Sequence, residues 1–107
     1  MTRVEFFRTA QGYTGFFACG HAGDAPEGEN IVCAALSASI ELTECQLTDV
    51  LLLPTQVDID AKSASVSVRL KHAHPQAQAP LEALWVYLTR LAEEYPRFLK
   101  ISEVSPC

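Results

Sequence analysis

Two residues in the first third of the chain could together perform nucleophilic chemistry: His21 and Cys33, which flank an acidic, glycine-bearing stretch. A thiolate attacks carbonyl carbon, and a histidine within hydrogen-bond reach can take the thiol proton and later return it to a leaving amine. Both lie within or beside the run Gly20–Ile40, GHAGDAPEGENIVCAALSASI. If Asn30 is the N-cap of a following helix, Cys33 falls in its first turn, near free backbone N–H groups and the positive end of the helix dipole. That position favours thiolate and offers donors to a developing oxyanion. Ser37, four residues on, shares the Cys33 face of such a helix, where it could bond a substrate or support the site. The same residues admit plainer roles. Cysteine is among the most buried residue types, and one between Val32 and Ala34 is more often core than nucleophile. Asn30 reads first as a plain cap, and Ser37 as a packing residue.

The elements that must position this pair follow from the patterning. Val4–Arg8 and Tyr13–Cys19 are β-prone and meet at Ala10-Gln11-Gly12, which predicts a hairpin; Gly15 marks a bulge or a close approach. Gly23, Pro26 and Gly28 break regular structure, and Asp24, Glu27 and Glu29 keep the connection wet. The expected loop from Gly20 to Asn30 exceeds the usual connection of about 4–6 residues, as lids and binding loops do. A helix is expected over roughly residues 31–48, apolar nearly all round at its start and therefore buried. Its small residues Ala34, Ala35 and Ala38 would let a sheet, or a second copy of the helix, approach closely.

Val57–Asp60 and Ser65–Leu70 alternate and predict a second hairpin through Ala61–Ala64. His72–Gln78 reads as a connector. Leu81, Leu84, Trp85, Leu88, Leu91 and Ala92 recur at helical spacing up to Pro96, and Phe98–Val104 returns as a short final strand. The order ββαββα(β) predicts an α+β two-layer sandwich, mostly antiparallel sheet with a central buried helix, in a single domain over residues 1–107.

Composition narrows the function classes. A chain of 107 residues, 49% hydrophobic and 20% charged, builds a core without disulfide staples. A net charge of −5 disfavours nonspecific nucleic-acid binding, so no direct nucleic-acid partner is expected. No apolar run is long enough for a bilayer, and the opening MTRVEFFRTA lacks the features of a signal peptide. The expectation is a cytoplasmic protein with no membrane partner. The cysteines, at 19, 33, 45 and 107, are irregularly spaced and form no CxxC pair, which argues for free thiols. Cys19, His21 and Cys33 are one conceivable metal cluster and His72-Ala73-His74 another. Neither offers the closed ligand set that zinc wants, so no metal and no other cofactor is expected.

With these residues in view, the stretch resembles the signature of the ribosomal-processing cysteine protease family, Prp. That family carries Gly-His-Ala, a variable glycine-containing loop, then Asp-Ile-Val-Cys-Ala-Ala and a serine one turn later. Gly20, His21, Ala22, Gly28, Ile31, Val32, Cys33, Ala34, Ala35 and Ser37 match it. The element order and length are also similar, so the resemblance covers essentially the whole chain. It implies that His21 and Cys33 are the catalytic pair, with Gly20, Ala22, Gly28, Asn30 and Ser37 supporting the site or binding substrate. The intervening loop becomes a flap. The implied substrate is the N-terminal extension of large-subunit ribosomal protein twenty-seven, cut after an aromatic residue, and the implied assembly is a homodimer. An acidic loop suits the basic tail of a ribosomal protein. One departure stands out: Asn30 occupies the position where the family usually has Asp. Asparagine caps a helix equally well and can orient a histidine, but it supplies no charge to stabilise imidazolium. The competing expectation is a non-catalytic, ribosome-associated binding or assembly module that uses Cys33 only for packing. Native-state thiol reactivity separates the two.

Overall fold

Alternation along the first strand decides which side of the sheet is dry: Thr2, Val4 and Phe6 are buried, while Arg3 and Glu5 between them are exposed. The computed structural model describes residues 1–20 and 27–105. Strands β1 (Thr2–Thr9) and β2 (Gly12–Cys19) form the expected hairpin. Helix α1 (Glu27–Cys45) runs on into a π-helical turn, Gln46–Val50. Then come the antiparallel strands β3 (Thr55–Asp60) and β4 (Ser65–Leu70), helix α2 (Pro75–Glu94) and β5 (Leu99–Val104). The five strands lie in the order β3-β4-β2-β1-β5. Three of the pairings are antiparallel, and β5 runs parallel to β1. The fold is the α+β sandwich expected from the sequence.

Both helices pack on the face that carries Val4, Phe6, Phe16, Ala18, Val68 and Leu99. There α1 contributes Val32, Leu36 and Ile40, and α2 contributes Ala77, Leu81, Leu84, Leu88 and Leu91. Phe6 is the centre of this core, fully buried and edge-on to Trp85 of α2 with ring centroids 5.3 Å apart. The register of β1 against β2 shifts between Phe7 and Arg8, because Thr14 has no opposite number. The Gln78 side chain of α2 supports the backbone beside this bulge: its Oε1 accepts from the Tyr13 N–H at 2.6 Å, and its Nε2 donates to the Tyr13 carbonyl at 2.9 Å.

Two helix expectations need correction. First, α1 is not buried on every side. It buries Val32, Leu36, Ile40 and Thr43 against the sheet, whereas Ile31 and Leu42 remain 52% and 63% exposed. With one sheet beneath it and no layer above, only one face of the helix can be dry. Second, α2 begins within the expected connector, at Pro75, where the missing proline N–H costs nothing because the first helical donors have no partner anyway.

Candidate active site

The site grows from one stripe of α1. Cys33, Leu36, Ser37, Ile40, Glu41 and Glu44 recur at intervals of three and four residues and so share a face. They form one wall of a pocket of about 380 Å3. The opposing wall comes from the sheet: Thr2 of β1, Ala18 and Cys19 of β2, Gly20 just beyond it, and Ile59, Ala64 and Val66 around the β3–β4 hairpin. Cys33 is a free thiol, half-buried in this wall. A nucleophile needs that combination, since full burial denies it substrate and full exposure denies it a shaped environment.

Gly20 holds the end of β2 in place. Its N–H donates to the Ala64 carbonyl at 3.2 Å, which ties the strand end to the β3–β4 turn. A Cβ at Gly20 would stand 2.5 Å from the Thr2 Cα and 2.9 Å from the Met1 carbonyl oxygen, and its φ is +156°. Only glycine fits so close to the β1 backbone. The turn is itself fixed. The Asp60 carboxylate accepts the Lys62 N–H at 2.9 Å, and this bond holds its carboxyl below the usual carboxylate range. Ala64 takes a left-handed φ of +50° to present its carbonyl to Gly20. The chain therefore leaves the sheet for His21 from a clamped point in the pocket wall. His21 and Ala22 lie outside the described residues.

The other expected site residues separate. Ser37 lines the pocket with Cys33 as the i, i+4 spacing predicts, and it is exposed. Asn30 does not cap the helix. It is exposed, absent from the pocket wall, and lies inside α1, which already runs at Glu27. Gly28, expected in the loop, is likewise helical. Cys33 consequently sits beyond the first turn, where its N–H belongs to the helical ladder and the dipole has largely decayed. The activation by a helix terminus expected from the sequence therefore does not apply at Cys33.

Cys19 shares the pocket, and its Sγ contacts the Ser63 carbonyl oxygen at 3.7 Å. The His72 and His74 rings lie edge-to-face with centroids 5.7 Å apart, and neither lines the pocket. Among the described residues, no three metal-ligating side chains converge. Nor is any described helix long and apolar enough to cross a membrane.

Reading the sequence alone missed Ile59, Val66, Glu41 and Glu44 as pocket residues. The two glutamates carried a usable signal, because positions eight and eleven residues after Cys33 fall on its helix face. Ile59 and Val66 carried none, since only the long-range order of the sheet brings them opposite α1.

The family model described as cysteine protease Prp matches residues 1–100. Among solved structures, the chain is similar to SMU.848 from Streptococcus mutans, at 23% identity and TM-score 0.87, covering 99% of this chain and 96% of that one. It is also similar to an essential ribosomal processing protease, Prp, from S. aureus in complex with a substrate peptide. The identity there is 22% and the TM-score 0.87, over 97% of this chain and 100% of that one. The same S. aureus protease with a covalently linked product peptide gives 23% identity and TM-score 0.84, over 97% and 100%. At these identities the structural likeness bears on the fold. No curated protein matches the sequence.

Proposed function

This chain belongs to the cysteine protease Prp family, and on that footing we propose that it removes the N-terminal extension of large-subunit ribosomal protein twenty-seven, with Cys33 as nucleophile and His21 as general base and acid. The observation that carries this reading is the half-exposed Cys33 thiol in a pocket whose facing wall ends at Gly20, the residue before His21. The apolar part of that pocket, Leu36, Ile40, Ile59 and Val66, suits an aromatic side chain next to the cut. Support also comes from the S. aureus protease, whose structures hold a substrate peptide and a covalently linked product peptide.

The chemistry runs in two halves. His21 takes the Cys33 proton as Sγ bonds to the scissile carbonyl carbon, leaving an oxyanion. The oxyanion collapses, the C–N bond breaks, and the departing amine carries the proton from His21. The resulting thioester is then attacked by water, whose proton passes to His21. The carboxylic product leaves and the Cys33 thiol is restored. Gly20 fixes the strand end that leads to His21, and Ser37, in the same pocket wall as Cys33, would bond the peptide.

A homodimer in the cytoplasm fits this role. The exposed stripe of Ile31, Ala38 and Leu42 on the outer side of α1 supports such an assembly, because it leaves apolar surface for a second copy. Native-state alkylation followed by peptide mapping tests the nucleophile. Cys33 should react rapidly near neutral pH. Resistance until unfolding would favour a binding or assembly module instead.

A further inference from the structure

Strand β5 has a neighbour on one side only. It runs parallel to β1 with Leu99 opposite Thr2, whose N–H donates to the Phe98 carbonyl at 2.8 Å. Successive peptide groups of such a ladder point to opposite sides, so Lys100 and Ser102 bond β1 while Ile101 and Glu103 turn their N–H and C=O groups to the open edge. Above this edge a cleft of about 430 Å3 opens between β5 and α2, with Trp85, Thr89, Ala92 and Pro96 on one side and Ile101 on the other. The Thr89 hydroxyl is enclosed there and has no hydrogen-bond partner, alone in this among the buried side-chain polar atoms of the described residues. Thr43 and Thr48 instead donate to the carbonyl four residues back, at 2.8 and 2.9 Å. On the helix-free face of the same edge Lys100 lies opposite Arg3; both are exposed, and among the described residues neither is ion-paired. Like charges directly opposite repel, which an incoming anion relieves.

We infer that the β5 edge and this cleft take an extended segment of another protein as a sixth strand, with a tyrosine in the cleft and, next to it in sequence, a carboxylate against Arg3 and Lys100. The outward peptide groups of Ile101 and Glu103 supply main-chain affinity, and the side chains supply selectivity. Neighbouring residues of a strand point to opposite faces, so a tyrosine on the helix side puts the next residue on the Arg3–Lys100 side. Tyrosine fits the cleft because its ring packs against Trp85 while its hydroxyl gives Thr89 the missing partner. Charge complementarity selects aspartate or glutamate beside it, and Glu93 at the cleft rim disfavours the reversed placement. The cleft shares no lining residue with the Cys33 pocket, so the inference stands apart from the protease reading.

The test is binding of the dye-labelled peptide Ser-Gln-Tyr-Asp-Val-Gln-Ser to Cys33→Ala protein, which leaves the peptide whole, read by fluorescence anisotropy. Tyr→Phe in the peptide should weaken binding roughly three- to tenfold. Asp→Lys should weaken it by roughly as much, and less at high salt. With the isosteric Thr89→Val added, the Tyr and Phe peptides should bind alike. With Arg3→Glu/Lys100→Glu added, the Lys peptide should become the better ligand. Amide exchange at Ile101 and Glu103 should slow on binding, while Lys100 and Ser102, already bonded to β1, change little. No binding at about 1 mM protein overturns the inference. So do Tyr and Asp preferences that survive these substitutions, or Ile101 and Glu103 amides already protected without peptide because a second copy covers the edge.

Discussion

Replacing Gly20 by alanine tests whether the clamped end of β2 matters to the chemistry. A Cβ there would lie 2.5 Å from the Thr2 Cα and 2.9 Å from the Met1 carbonyl oxygen, both backbone atoms that cannot swing aside. Restoring an ordinary contact of about 3.5 Å requires the strand end, or the start of β1, to retreat by about 1 Å. β1 resists, because the Thr2 N–H donates to the Phe98 carbonyl at 2.8 Å. Most of the displacement therefore falls on Gly20, from which the chain continues to the proposed base His21. The overpacking costs roughly 1–3 kcal/mol. Weakening the Gly20–Ala64 hydrogen bond adds about 1 kcal/mol. Against a typical stability of about 5–15 kcal/mol, the variant stays folded. A misplacement of about 1 Å in a catalytic group costs about 100-fold in rate. The assay is kcat/KM on a peptide carrying the cleavage sequence, alongside a thermal melt. A folded Gly20→Ala protein that cleaves within threefold of wild type would refute the argument that Gly20 positions His21.

Three further perturbations probe other parts of the account. Gln78→Ala removes the partner of both the Tyr13 N–H and its carbonyl, and should cost about 2–3 kcal/mol in urea unfolding; a loss under about 0.5 kcal/mol would contradict the role given to Gln78 beside the bulge. Burial pushes the Tyr13 phenol above its ordinary value of 10.0. Its folded pKa thus exceeds its unfolded one, so its contribution is fully present below about pH 10 and is lost as pH rises through the folded value. Melts at pH 8 and pH 11 should therefore show wild type losing more stability than Tyr13→Phe, and parallel losses would contradict this. In the proposed homodimer, Leu42→Glu places a charge in the exposed apolar stripe of α1. Forfeiting the burial of one leucine, worth roughly 1.5–3 kcal/mol, should raise the dimer dissociation constant at least tenfold by sedimentation; an unchanged constant would place the interface elsewhere.

The strands were readable because burial on one face imposes a period of two that a short segment cannot hide. Val4 and Phe6 inside with Arg3 and Glu5 outside is one instance, and Val68 and Leu70 around Arg69 is another. Helix starts were less legible. Asn30 is a strong capping residue by type and Gly28 a breaker, yet both are inside α1; a helical glycine costs only about 1 kcal/mol, which the packing of Val32, Leu36 and Ile40 outweighs. At α2 the prolines misled in the other direction, since Pro75 starts the helix and Pro80 is carried within it. The Cys33–Ser37 half of the site was visible because helical spacing is local. The facing wall was not, because Ile59 and Val66 reach the pocket only through the pairing of β4 with β2.

The most direct measurement is intact-mass analysis of the host's large-subunit ribosomal protein twenty-seven after incubation with this protein, with Cys33→Ala in parallel. One cut is expected, near the substrate's N-terminus and after an aromatic residue, and Cys33→Ala should abolish it. A substrate with a genuine extension left whole by folded wild-type protein would contradict the proposed function, and a cut that survives Cys33→Ala would contradict the mechanism.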